Sequence, residues 1–550
     1  MAASRERRLR RLLKQLLDLR ERVHTQGQNL SERWKPYVRR ASFTYSAFNL
    51  ACYLALRRRN LRQLQMALVP LGLSSLGRCE AHVLASLDAV IAALASMSRS
   101  PKGKTPERPS LKHFIRGRTV IERNASQLLA DPGSRRHVRI MVTLPADAGE
   151  DFRFVRDLLR RGTDCVRINC AHDSETVWKA MIGTVRRAAR QEGRPCTVLM
   201  DLCGPRVRTL EVHISAPEQR VREGDHILLR REPAFEREKT AFQAVCSIPE
   251  VFNQLASGAT VMLNEGKIGA RVLTADHESV KLEVMQARAK GERFRPAMGL
   301  NFPDTHVRAD PLTTKDLADL DFVCRHADLI GYSFVQEPEE VDRLVSEIQR
   351  RSALRKGREA PGVIAKIETA RAVRNLPELI VHGAGRVPFG VMIARGDLAV
   401  EIGYLRIAEI QEEMLWICEA AHVPVIWATQ VLQNFNKKGI PSRAEMTDAA
   451  MSERADCVML NKGPFLPEAV SILEEVLVRM QAHQWKKMAT FRALHSWDHL
   501  WRASSARSHV HQLNKARVDP PHKPRAAGRR LRIRAATLIP ERKLKSARTK

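Results

Sequence analysis

Lys366 and Glu368 stand two residues apart at the end of the apolar run GVIAKIE (362–368). On an extended strand that spacing puts an ammonium and a carboxylate on one face. Arg167 and Asn169 repeat the spacing in CVRIN (165–169), and Asp201 comes near the end of TVLMDL (197–202). Arg395, Gly396 and Asp397 follow FGVMIA (389–394) directly, and Thr429 falls near the end of VPVIWATQ (423–430). Paired carboxylates suit a hard cation such as Mg²⁺, which keeps several waters and binds substrate oxygens. A lysine and an arginine suit a phosphate and an oxygen on which negative charge develops. Any one of these groups alone reads as a salt bridge on a rim. So many at the same end of successive strands read as a site.

The elements that must position them are short apolar runs alternating with longer helical patterns. Eight runs read as strands: 139–144, 165–169, 197–202, 329–335, 362–368, 389–394, 423–430 and 457–461. Most begin roughly 26–35 residues after the previous one, the repeat of a parallel (β/α)₈ barrel, whose functional groups gather at the C-terminal ends of the strands. The gap after the third run holds about 90 extra residues, room for a small domain. That insert, 210–300, has short alternating runs and glycines, and is expected to be an all-β barrel or sandwich. The α/β barrel is therefore expected over 136–209 and 301–483.

The flanks differ from this core. Residues 1–135 carry 26 Lys/Arg against 9 Asp/Glu, and residues 484–550 carry 18 against 3, so nearly all of the net charge of +31 lies outside the core. Residues 1–135 read as a helical extension, opening on an amphipathic helix with Leu9, Leu12, Leu13, Leu16, Leu17 and Leu19 on or near one face. The tail, 484–550, reads as largely disordered. Ala81–Met97 is apolar but short and carries His82 and Asp88, which predicts a buried helix and no membrane span. None of the ten cysteines forms a C-x-x-C pair, so neither a zinc site nor a redox motif is indicated, and a cytoplasmic location is expected. Low aromatic content argues against a stacking platform for single-stranded nucleic acid.

These blocks resemble the pyruvate kinase family over about 136–483. The resemblance is carried by RIMVTLPADAG, VRINCAH, DLCGPRVRT, GLNFPD, VIAKIET, MIARGDLAVEIG and WATQVLQ, followed after nine residues by RAEMTDAA. It is similar to a bacterial subgroup with an N-terminal helical extension and without the C-terminal regulatory domain. The resemblance implies that Lys366 stabilises an enolate-like transition state and that Arg167 binds the transferring phosphate. Glu368 and Asp397 hold Mg²⁺, with Mn²⁺ as the alternative. The backbone at Arg395, Gly396 and Asp397, with Thr429, holds the substrate carboxylate, and Arg208 and His172 lie on the nucleotide side. The implied substrates are phosphoenolpyruvate and ADP, giving pyruvate and ATP.

The departures are informative. Of the family's monovalent-cation ligands, Asn169 and Asp201 remain, but Ala171 and Leu202 replace two hydroxyl residues. Arg206 stands where K⁺-independent members carry a lysine, and is expected to supply the missing charge so that K⁺ is not required. Cys203 replaces a common lysine. LNKGPF (460–465) replaces Leu-Ser-Gly-Glu-Thr, leaving Lys462 as either a phosphate contact or a solvated lysine. Two rivals stay open: another Mg²⁺–enolate enzyme such as an oxo-acid lyase or aldolase, and a non-catalytic scaffold. A homo-oligomer and a weakly held anionic partner at the basic ends are also left open.

Overall fold

The computed structural model describes residues 2–99, 105–133, 135–215, 219–235, 240–352 and 359–490. The tail from residue 491, on which the expectation of disorder mainly fell, lies outside them.

Eight parallel strands close into a barrel: β1 (Arg139–Thr143), β2 (Cys165–Asn169), β3 (Thr197–Asp201), β4 (Leu329–Tyr332), β5 (Gly362–Ile367), β6 (Phe389–Ala394), β7 (Val425–Ala428) and β8 (Cys457–Leu460). Each falls inside one of the eight apolar runs. The runs lack polar alternation because both faces of such a strand are covered. One phase of each strand points outward to the helices, as with Ile140, Val166, Val198, Val363, Val391 and Val458. The other phase fills the barrel with Met141, Cys165, Leu199, Leu329, Ile364, Met392, Ile426 and Cys457. Moving two residues along the inward phase from Cys165, Leu199 and Ile364 reaches Arg167, Asp201 and Lys366. The polar site is thus the next layer above an apolar plug, towards the C-terminal ends of the strands.

Between β3 and β4 the insert forms a seven-stranded sheet. Its order is Leu300–Asn301, Thr260–Leu263, Ile268–Ala275, Ser279–Gln286, His226–Arg230, Phe242–Cys246 and Thr209–Ile214. It has its own core around Ile227, Leu229, Phe252, Val280, Leu282 and Phe294.

The extension contains α1 (Ala2–Trp34), α2 (Thr44–Arg57), α3 (Arg62–Leu68), α4 (Val83–Met97) and α5 (Leu111–Leu129). Leu9, Leu12, Leu13, Leu16 and Leu19 are buried, and α1 packs on α2 and α4. Among the described residues Glu80–Met97 is the one helical stretch long and apolar enough to cross a membrane, and half of it is buried inside the protein. Asp88, which interrupts it, pairs with Arg20 of α1 at 2.7 Å. The end of α5 stoppers the N-terminal mouth of the barrel. Leu128 and Leu129 join the inward-facing cluster, and the Cys165 thiol donates to Leu129 O at 3.0 Å. Gly362 is required beneath it, because a Cβ there would collide with Leu128.

Residues 484–489, read from sequence as the start of the tail, form a small hairpin of Gln484–Trp485 with Met488–Ala489. Its lysines meet acids that sequence spacing did not reveal: Lys486 reaches Asp456 at 2.7 Å, and Lys487 pairs with Glu80.

Candidate active site

At the C-terminal end of the barrel, Lys366 sits at the centre of a buried charge cluster. Its ammonium donates to Ser333 Oγ at 2.7 Å and lies 3.2 Å from both Asp201 Oδ2 and Glu368 Oε1. Burial opposes the charge on Lys366, but Asp201 and Glu368 outweigh it and hold its pKa above the ordinary lysine value. Asp201 also accepts from Arg167 through Nε at 2.9 Å and Nη2 at 2.5 Å. Burial alone would raise the Asp201 pKa, but Lys366 and Arg167 bring it below the usual carboxylate value. Arg167 is further held by Thr143 Oγ1 at 3.2 Å. Asp201 fits because its register partner is Gly331, where any Cβ would overlap Asp201 Oδ1. That oxygen is buried without a partner among the described residues.

Glu368 differs from Asp201. Burial pushes its pKa up; Lys366 opposes the rise and the nearby Asp397 carboxylate adds to it. Its Oε2 accepts from the Phe334 N–H at 2.7 Å, an amide turned inward by a left-handed backbone at Phe334, φ 57°. Two neighbouring carboxylates that line one cavity are a donor set for a cation. The residues therefore fit a Mg²⁺ ion held by Glu368 and Asp397 with the remaining positions left to water and substrate.

Helix Arg395–Ile402 begins directly after β6 and carries Asp397. The Arg395 side chain points away from the cavity, onto Asp448 and the Trp427 ring 4.5 Å away. This anchors the helix start and leaves the backbone of Gly396 at the cavity, with its N–H donating to Thr429 Oγ1 at 2.9 Å. Thr429 is itself left-handed, φ 65°, and strained backbone of this kind is held in place only by its surroundings. Arg206 pairs with Asp397 Oδ1 at 3.0 Å.

These groups line a cavity of about 240 Å³ that also includes Asn169, Arg208, Glu265 and Asn461. Asn169 Oδ1 accepts from the Ala171 N–H at 3.1 Å, folding the turn that leads to His172. Burial, then Lys462 and Arg208, push the His172 pKa down. Lys462 therefore shares the neighbourhood of His172, in a loop pinned by the Asn436 side chain on Asn461 O. A larger cavity of about 680 Å³ lies at the opposite end of the barrel, beside α5. Of the arginines that line it, Arg186 pairs with Asp328 and Arg194 with Asp164, and the polar groups at the C-terminal strand ends line the smaller cavity instead.

The structure brings Arg167, Asn169, Asp201, Arg206, Arg208, Lys366, Glu368, Gly396, Asp397 and Thr429 to one cavity. Three supporting residues were not foreseen. Ser333 lies inside the fourth run and is reached two residues after Gly331 on the same strand phase, a signal the sequence did hold. Asp448 comes from RAEMTDAA, 53 residues from the Arg395 it orients. Asp316 caps helix Thr314–His326 and also accepts from the N–H groups of Cys203 and Gly204, which fixes the loop leaving β3.

Comparison with known proteins gives the family. Residues 135–465 match the family model for the pyruvate kinase barrel domain. The chain belongs to the pyruvate kinase family of phosphotransferases. It is 28% identical over 371 residues to pyruvate kinase 1 of Trypanosoma brucei brucei, a match covering 66% of this chain and 71% of that one. It is equally identical over 352 residues to the pyruvate kinase of Thermotoga maritima, covering 63% and 70%. The same identity over 354 residues relates it to the Geobacillus stearothermophilus enzyme, covering 63% and 57%. The family match begins after the helical extension and takes in the eight barrel strands, the insert and every residue of the cavity named above.

Proposed function

We propose that this protein transfers the phosphoryl group of phosphoenolpyruvate to ADP, giving pyruvate and ATP in glycolysis. The observation that carries the reading is a buried, charged Lys366 held between two carboxylates beside a second carboxylate pair member, Asp397. Arg167 binds the phosphoryl group, and its double hydrogen bond to Asp201 fixes the guanidinium plane in advance. As the P–O bond breaks, the enolate oxygen gains charge next to the Lys366 ammonium, whose position needs no rearrangement. Glu368 and Asp397 would hold Mg²⁺, which when bound would supply neutralising charge to the substrate oxygens. The helix start at Arg395–Asp397 and Thr429 hold the substrate carboxylate. His172 and Arg208 take the nucleotide side, joined by Lys462. Positioning and charge neutralisation do most of the work in such a transfer.

Arg206 supplies a resident cation where Ala171 and Leu202 lack hydroxyls, so turnover should not depend on K⁺. The ten unpaired thiols suit a reducing compartment such as the cytoplasm.

Pyruvate formation from phosphoenolpyruvate tests the reading. It should require both ADP and Mg²⁺, and should change little when tetramethylammonium chloride replaces KCl. Oxo-acid turnover without ADP would instead favour a lyase. A strong rise in rate with KCl would remove the role given to Arg206.

A further inference from the structure

Arg206 lies in the segment leaving β3, one of the two connections that carry the inserted domain. The return connection packs against it: Leu300 N donates to Val207 O at 2.9 Å, and Arg208 bridges to Gly299. Gly299 is bare where the guanidinium crosses it, since a Cβ there would approach Arg206 Nη2 to 3.3 Å. From this hinge the guanidinium reaches Asp397 Oδ1 at 3.0 Å.

Three further contacts between insert and barrel end on the same short segment. Asn301 donates to Glu401 at 3.2 Å, Gly266 sits against Val400, and Tyr404 Oη lies 3.5 Å from Glu265 O. The inserted domain is therefore docked on the helix that carries Asp397, and one of its tethers uses the Asp397 carboxylate itself.

We propose that Arg206 is a metal-responsive tether. Without a divalent cation its guanidinium occupies Asp397 and holds the hinge of the inserted domain to the barrel rim. A divalent cation takes the carboxylate, the guanidinium gives it up, and the hinge is released. This inference rests on Asp397 being a metal ligand. It adds that metal binding and domain docking compete through one side chain. A carboxylate oxygen paired with a guanidinium is a poorer ligand than a free one, because the ion pair must be given up first. The pair is partly exposed, at 32% and 17% of the two side chains, so the competition is modest.

The test is Mn²⁺ binding to the full chain without substrates, read from the electron paramagnetic resonance signal of free Mn²⁺. Wild type should bind, and D397N should lose most binding. R206M should bind about three- to tenfold more tightly than wild type, and R206K should stay near wild type. R206Q, which keeps a polar end, serves should R206M fold poorly. Hydrogen exchange gives a second readout that a merely structural arginine would not move. On adding Mg²⁺, exchange at Arg208 and Leu300 should speed up in wild type and be already fast, and unresponsive, in R206M. Equal Mn²⁺ affinity in wild type, R206M and R206Q overturns the tether while leaving the metal site intact. Undiminished binding by D397N overturns both.

Discussion

The two ends of the barrel each bury a cluster of opposite charges, and the clusters behave differently. At the N-terminal end, Arg136 is almost fully buried and every direction of its guanidinium is used. It pairs with Asp164 at 2.6 Å and with Glu474, and donates to Gly162 O and Val138 O. At the C-terminal end, Lys366 is equally enclosed by acids, yet Asp201 Oδ1 has no partner among the described residues and the cluster opens on the cavity that Asp397 also lines. The satisfied cluster ties β1, the loop before β2 and the last barrel helix (Leu466–Met480) together. The unsatisfied one is arranged for charge that arrives with a substrate. Burial of charge alone does not mark function; an unpartnered carboxylate oxygen in one cavity with a lysine, an arginine and two further acids points to it.

Exchanging the two central cations for methionine should separate the roles most widely. K366M should lower turnover by about 10³-fold or more, because the ammonium acts where charge develops, while the variant still unfolds cooperatively in urea. R136M should do the reverse. Stranding Asp164 and Glu474 in the interior should cost about 3–5 kcal/mol in urea unfolding, with kcat of the folded fraction retained. If R136M lost turnover without losing stability, the division between the two ends would fail.

L128A sharpens the comparison at the stopper. Opening space beneath Gly362 should cost about 2–4 kcal/mol, again without a change in kcat. An effect on the pH dependence alone is expected from Glu453, a buried acid near Asp456 and Lys486. Burial first, then Asp456, raise its pKa to about 8, against the opposing pull of Lys486 and Arg136. Its folded pKa lies above its unfolded value near 4.5, so the folded state holds the extra proton between those limits. Stability from this group is present below about pH 4.5 and is lost as pH rises through about 8. Unfolding free energy measured from pH 5 to 8 should therefore fall less steeply in E453Q, by at most about 1.4 kcal/mol per pH unit.

Much of this was legible in the sequence because strand periodicity is local. The eight runs, and the i, i+2 pairs Arg167/Asn169 and Lys366/Glu368, need only neighbours to be read. The bare positions Gly331 and Gly362 gain meaning only when Asp201 and Leu128 are placed against them. The left-handed turns at Phe334 and Thr429, which aim an amide and a hydroxyl into the cavity, carry no glycine to announce them. Pairings over long separations were invisible for the same reason. Arg206 with Asp397 spans 191 residues, and Lys487 with Glu80 spans 407. The insert was legible as short strands, but its order, with Thr209–Ile214 and Leu300–Asn301 at opposite edges, is fixed by tertiary packing and not by local pattern.

The central claim is that the open cluster around Lys366 moves a phosphoryl group between two bound molecules. A ³¹P NMR time course of the purified chain with phosphoenolpyruvate, ADP and Mg²⁺ tests it most directly. The account predicts that the phosphoenolpyruvate signal decays as the γ-phosphate of ATP grows by the same amount. A stable phosphoenolpyruvate signal, or its conversion to inorganic phosphate without ATP, would contradict it.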